Sequence, residues 1–223
     1  AIFFFLVGLE LKQEVLEGEL KEHRKIALPA VAALGGILVP AGIYVAMNWG
    51  HPAIIDGWAV PTATDIAFAL GVLSLLGTRL PGSLRPFLLS IAIFDDLAAI
   101  LIIALYYSGD LSPSAMALAL PVLAALVVLN LAGVKRIAPY VLLGIALWVC
   151  VLKSGVHATL AGVLVALTVP AQGRQPAEPG PLDHAYRGLA PWVSFAVLPA
   201  FAFANAGVAL PRVSLDMLLS PLA

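Results

Sequence analysis

Asp95 and Asp96 stand side by side in an apolar run, Leu84 to Tyr107, whose only other charge is Arg85 at its edge. A hydrocarbon core of about 30 Å is crossed by roughly 20 helical residues, so this run has the length of a membrane span. An aqueous helix of that length would carry a polar face, and this one does not. Holding two charged acids at mid-membrane costs about 2.5–3.5 kcal/mol each, so a helix with a purely structural role would avoid them. The default reading of the pair is an ion or proton site.

The rest of the chain has the same character. Apolar residues make up 61% and charged residues 11%, against about 45–50% and 25% in soluble domains. The sequence therefore reads as a polytopic, all-α transmembrane helix bundle, one transmembrane domain over residues 1–223 with no soluble domain. A net charge of −1 argues against nucleic acid as a partner, and the single cysteine, Cys150, precludes an internal disulfide and offers no soft-metal cluster. The chain opens inside an apolar run without a basic n-region or a cleavage site, so it reads as an internal fragment and not as one led by a signal peptide.

The 20-residue ruler gives about eight crossings: Ala1 to Glu17, Ile26 to Asn48, Trp58 to Leu80, Leu84 to Tyr107, Pro113 to Ala132, Ile137 to Leu152, Gly155 to Val169 and Pro191 to Leu210. Ser112 before Pro113 is a helix start, with a hydroxyl able to cap orphan amides and a proline where no donor is needed. Residues 171–187, rich in Pro and Gly, read as a polar cytoplasmic loop. Basic connections (Lys21, Arg24, Lys25; Arg79, Arg85; Lys135, Arg136) alternate with connections holding only Asp56 or Asp110, which places the basic ones in the cytoplasm.

The third span carries Pro61-Thr-Ala-Thr64-Asp65. Proline removes a backbone donor and crowds the preceding turn, so the helix is expected to break near Thr64 and Asp65. With a hairpin turn at Pro81 and Gly82, Asp65 and Asp95 lie about 24 and 21 Å from the turn, at one depth. Asp65, Asp95, Asp96, Thr64 and freed carbonyls then form an oxygen-rich pocket suited to a small hard cation. Desolvation and like charge both favour protonated carboxyls, so protons compete for the same oxygens. Mutually exclusive occupancy with alternating access gives exchange. It is electrogenic if two protons leave for each monovalent cation.

Four segments carry a resemblance: Thr64 to Gly71 (TDIAFALG), Ile93 to Leu97 (IFDDL), Lys153 to Gly162 (KSGVHATLAG) and Phe201 to Gly207 (FAFANAG). Together, in order, they resemble the NhaA-type sodium/proton antiporters of the bacterial inner membrane. The resemblance implies a fold with a discontinuous helix, Asp96 as the principal cation ligand, Asp95 as its partner in proton exchange, and Asp65 with Thr64 balancing half-helix dipoles. It also implies pH regulation through Glu10, Glu14, Asp183 and His157, with Gln13 standing where relatives can carry arginine. Finally, it implies a second inverted repeat, with an intramembrane lysine facing Asp65 and Asp95, that this chain lacks, so the fragment is not expected to transport alone.

Read from spacing alone, Glu10, Glu14 and Glu17 are also a solvated helix face, and His157 is also an interface residue. No resident cofactor is expected; Na+ or Li+ and H+ are the substrates, the bilayer is the partner, and pairing of two copies is left open. An intramembrane aspartyl protease and a passive channel are the rival functions. Adjacent residues on a helix point about 100° apart, so Asp95 and Asp96 cannot form a protease dyad with each other, although Asp65 with either could.

Overall fold

The computed structural model describes residues 1–17, 23–64, 66–77, 80–108, 112–173 and 178–205. Among these residues the regular structure is all helical, joined by turns and short extended connections, apart from one isolated bridge between Gln172 and Pro179. The helices are α1 (Ile2–Glu17), α2 (His23–Met47), α3 (Pro52–Ile55), α4 (Ile66–Leu76), α5 (Leu84–Tyr106), α6 (Pro113–Leu131), α7 (Ile137–Lys153), α8 (Thr159–Thr168), α9 (Pro181–Trp192) and α10 (Leu198–Asn205). Among the described residues four stretches are long and apolar enough to cross a membrane: Ile26–Met47, Leu84–Tyr106, Pro113–Leu131 and Pro181–Ala204. Helices α7 and α8 are apolar but shorter.

By contact the chain divides into two compact units, Ala1–Lys21 with Ile100–Phe201, and Glu22–Ala99 with Ala202–Ala223. In the first, α1 lies against α8 through small residues. A β-carbon on Gly162 would come within 2.5 Å of the Ala1 carbonyl and 2.9 Å of the Phe5 nitrogen, and one on Gly8 within 2.7 Å of the Ala166 β-carbon. Glycine lets the two backbones approach this closely. Around that contact Leu9, Leu126, Tyr140, Leu147, Val165, Val169 and Leu182 form a buried apolar core. The buried Tyr140 hydroxyl donates to the Val134 carbonyl at 3.0 Å, closing the turn from α6 to α7.

In the second unit the third expected span is broken. A 3-10 helix, Asp56–Thr62, contains Pro61; Ala63 is extended (φ −69°, ψ 129°); and α4 resumes at Ile66. The missing proline donor and the extended residue end the first piece within one position of the expected site. Tyr44 on α2 donates its hydroxyl to the Ile54 carbonyl at 2.9 Å and ties α3 to α2.

Three expectations need correction. The polar segment 171–187 is not loop throughout, because α9 begins at Pro181 after an extended Gly180. Proline suits the first helical position, and Asp183 in the first turn complements the helix dipole. The last span accordingly starts near 181 and not at Pro191; its expected end at Leu210 lies outside the described residues. It is not uniformly α-helical: Val193–Val197 form a π segment in which the Leu198 amide donates to the Val193 carbonyl. Pro199 follows, and its ring would crowd the Phe195 carbonyl in a regular α-turn. Third, helix α6 starts at Pro113 as expected, but Ser112 makes no capping bond; its hydroxyl meets that of Ser114 at 3.1 Å.

Candidate ion-binding site

Asp95 is the twelfth residue of α5 and is half-buried. Its Oδ2 accepts a hydrogen bond from the Thr64 hydroxyl at 2.8 Å. Thr64 is free to reach it because it lies in the interruption between Thr62 and Ile66, where the backbone is not helical. The other oxygen, Oδ1, is buried and has no hydrogen-bond partner among the described residues. Buried polar atoms are nearly always satisfied, so an unpartnered carboxylate oxygen inside an apolar span is unusual. Asp96, also half-buried, follows on the same helix and is rotated by about 100° from Asp95.

The structure thus brings Thr64 and Asp95 together across the helix break. Asp65 lies outside the described residues. Among the described residues no group of three or more His, Cys, Asp and Glu side chains is gathered as a metal-binding cluster. The oxygens that the described residues bring together here are the Asp95 carboxylate and the Thr64 hydroxyl, both of the hard type.

The residues that the family resemblance links to pH response fall in two separate places. Near the end of α1, Gln13 Nε2 donates to Asp183 Oδ1 of α9 at 3.3 Å, and Arg187 pairs with the same carboxylate at 3.5 Å. Glu10 and Glu14 lie on α1 beside Gln13. His157 is elsewhere: it precedes the first turn of α8, where its Nδ1 meets the Thr159 hydroxyl at 2.6 Å. The α1 group lies at the opposite, C-terminal end of α8, where Lys12 contacts the Leu167 and Val169 carbonyls. Ten helical residues separate these ends by about 15 Å. His157 is therefore not part of the α1–α9 cluster.

Sequence reasoning missed Lys12 and Asn130, both of which turn out to make long-range contacts to α8. Asn130 stands alone in an apolar run, which was its only signal, whereas Lys12 lies among Glu10, Gln13 and Glu14 and reads locally as part of a solvated face.

The model of the family described as Na+/H+ antiporter 1 matches residues 1–223, the whole chain. The chain belongs to this family. Among antiporter relatives, the Na(+)/H(+) antiporter NhaA 1 of Syntrophotalea carbinolica is 57% identical over 222 residues, covering 100% of this chain and 56% of the relative. NhaA of Rhodospirillum rubrum is 57% identical over 224 residues, covering 99% and 56%. NhaA of Shewanella oneidensis is 54% identical over 221 residues, covering 99% and 56%. The chain spans about half the length of the curated relatives it matches. Membership of the antiporter family, together with the four long apolar stretches, makes this a multi-pass membrane protein of a transporter family, not an enzyme.

Proposed function

We propose that the protein exchanges Na+ or Li+ for H+ across the bacterial inner membrane, through competition of cation and protons for Asp95 and Asp96. Family membership supports the activity. The observation that carries the mechanism is the Asp95 carboxyl: it sits in an apolar span, with one oxygen held by Thr64 and the other buried without a partner among the described residues.

In this reading Thr64 orients Asp95 by donating its proton to Oδ2, which leaves Oδ1 facing the ligand. Asp96, one position on, supplies the principal cation oxygens, and Asp95 is its partner in proton exchange. Asp65 balances the dipoles of the broken helix. A bound cation satisfies the carboxylates electrostatically, and protons do so covalently; the two cannot occupy the same lone pairs. Release of two protons per monovalent cation makes each cycle electrogenic. Regulation by pH is assigned to Glu10, Glu14 and Asp183 at the α1–α9 end, with His157 acting separately at the start of α8.

The test is sodium-driven proton movement in vesicles containing the full-length protein that carries this chain. Exchange is expected to vanish in both Asp95→Asn and Asp96→Asn, which retain side-chain shape and lose the negative charge. Undiminished sodium-driven proton release in both variants overturns the mechanism. Proton conduction that never drives sodium uphill identifies a passive channel instead.

A further inference from the structure

Six consecutive carbonyls at the C-terminal end of α8 are each claimed by a donor. Val165 accepts from the Thr168 hydroxyl at 2.7 Å, and Ala166 from the Val169 amide at 3.1 Å. Leu167 and Val169 both accept from Lys12 Nζ of α1, at 2.6 and 2.7 Å. Thr168 accepts from Asn130 Nδ2 of α6 at 2.6 Å, and Pro170 from the Leu182 amide of α9 at 3.1 Å. A helix ordinarily ends with four carbonyls lacking intrahelical partners and with partial negative charge concentrated on them. Here the outermost of these are supplied by three other helices, and one of the donors is a cation.

The Lys12 ammonium lies between two carbonyl oxygens at charge-assisted distances, at the negative end of the helix dipole. The oxygens are held in place independently: α8 is packed on α1 through Gly162, and the intervening Thr168 carbonyl is fixed by Asn130. Two convergent acceptors with a fixed spacing suit the directed donors of an ammonium ion, whereas a bare alkali ion seeks a fuller oxygen shell.

We propose that the C-terminal end of α8 is a monocation site whose resident ion is the tethered Lys12 ammonium, and that a small primary ammonium ion occupies it when that side chain is cut short. The site binds α1 to α8 through charge, while Asn130 binds α6 to the same end. It involves neither Asp95 nor Thr64, so it stands whether or not the antiport mechanism does.

The experiment is thermal unfolding of the membrane protein purified in detergent, where no ion gradient exists. Lys12→Ala removes three methylenes and the amine, the outline of n-propylammonium. This variant is expected to unfold several degrees lower than the parent, and n-propylammonium chloride is expected to restore at least half of the loss. Equal concentrations of NaCl or n-propanol are expected to restore none of it. Lys12→Met, which fills the space with an apolar chain, is expected to lose stability and to resist rescue. Failure of n-propylammonium to raise the Tm of Lys12→Ala above the salt and alcohol controls overturns the proposal, as does a Lys12→Met protein as stable as the parent. Should Lys12→Ala not fold, Lys12→Arg and Lys12→Gln decide: retained stability with Arg and loss with Gln supports the cation site, and the reverse order refutes it.

Discussion

The Thr64 hydroxyl donates to Asp95 Oδ2 at 2.8 Å across 31 positions of sequence, joining the interruption between Thr62 and Ile66 to the middle of α5. A hydrogen bond to a charged group contributes about 1.5–3 kcal/mol, so losing it misaligns the carboxylate as well as exposing its charge. Thr64→Val, similar in shape but without a donor, is expected to raise the apparent KM for Na+ by roughly tenfold, while Thr64→Ser stays close to the parent. Sodium-dependent proton release measured over a range of Na+ concentrations checks this. Equal KM values for Val and Thr would remove Thr64 from the site.

Competition at Asp95 and Asp96 fixes the sign of the pH dependence. Acidification fills the carboxylates with protons and must weaken sodium binding. Below the pH where the carboxyls begin to protonate, the apparent KM for Na+ is expected to rise about tenfold per pH unit if one proton competes and about a hundredfold if two do. Measuring KM at several pH values, with the interior and exterior buffered alike, yields that slope directly. A KM independent of pH while Vmax falls would place the protons elsewhere.

How much of this arrangement was readable in the sequence depends on the range of the forces involved. Helix α5 and the start of α6 at Pro113 follow from local hydropathy and from proline's fixed φ, and both stand where expected. The break before α4 follows from Pro61, again a local cause. Thr64 and Asp95 are expected in one pocket from the shared depth of Asp65 and Asp95, but their hydrogen bond is not, since rise per residue gives height along a helix but not azimuth. Helix α9 was concealed because Pro and Gly near 171–187 resemble a loop. What supports it comes from distant residues: Leu182 enters the core, and Asp183 meets Gln13 from 170 positions away. The cap on α8 was equally hidden, because Lys12 reaches it across 155 positions.

The close approach of α1 and α8 predicts two opposite glycine effects. In Gly162→Ala the new methyl meets the Ala1 carbonyl at 2.5 Å and the Phe5 nitrogen at 2.9 Å, both backbone atoms that cannot swing aside. Overpacking of this kind costs about 1–3 kcal/mol. Gly35→Ala, in the interior of α2 with nothing within 4 Å, is expected to be neutral or to stabilise by up to about 1 kcal/mol through helix propensity. Thermal unfolding in detergent should therefore order the proteins Gly35→Ala at or above the parent and Gly162→Ala below it. A Gly162→Ala protein with an unchanged Tm would contradict the packing of α1 on α8.

Gln13 and Asp183 touch, whereas His157 lies about 15 Å away along α8, and this separation makes a prediction about coupling. Residues in direct contact shift a shared property non-additively, while sites more than about 7–10 Å apart add to within roughly 0.3–0.5 kcal/mol. If both ends of α8 influence the pH at which transport is half-activated, His157→Ala combined with Asp183→Asn should displace that midpoint by the sum of the single displacements. Gln13→Ala combined with Asp183→Asn should displace it by less than the sum, because Gln13→Ala removes the 3.3 Å contact and Asp183→Asn takes away the charge that strengthens it. The check is a pair of double-mutant cycles on the transport midpoint in vesicles. Strong coupling between His157 and Asp183, equal to that between Gln13 and Asp183, would require one continuous sensing cluster and would contradict the placement of His157 at the far end of the helix.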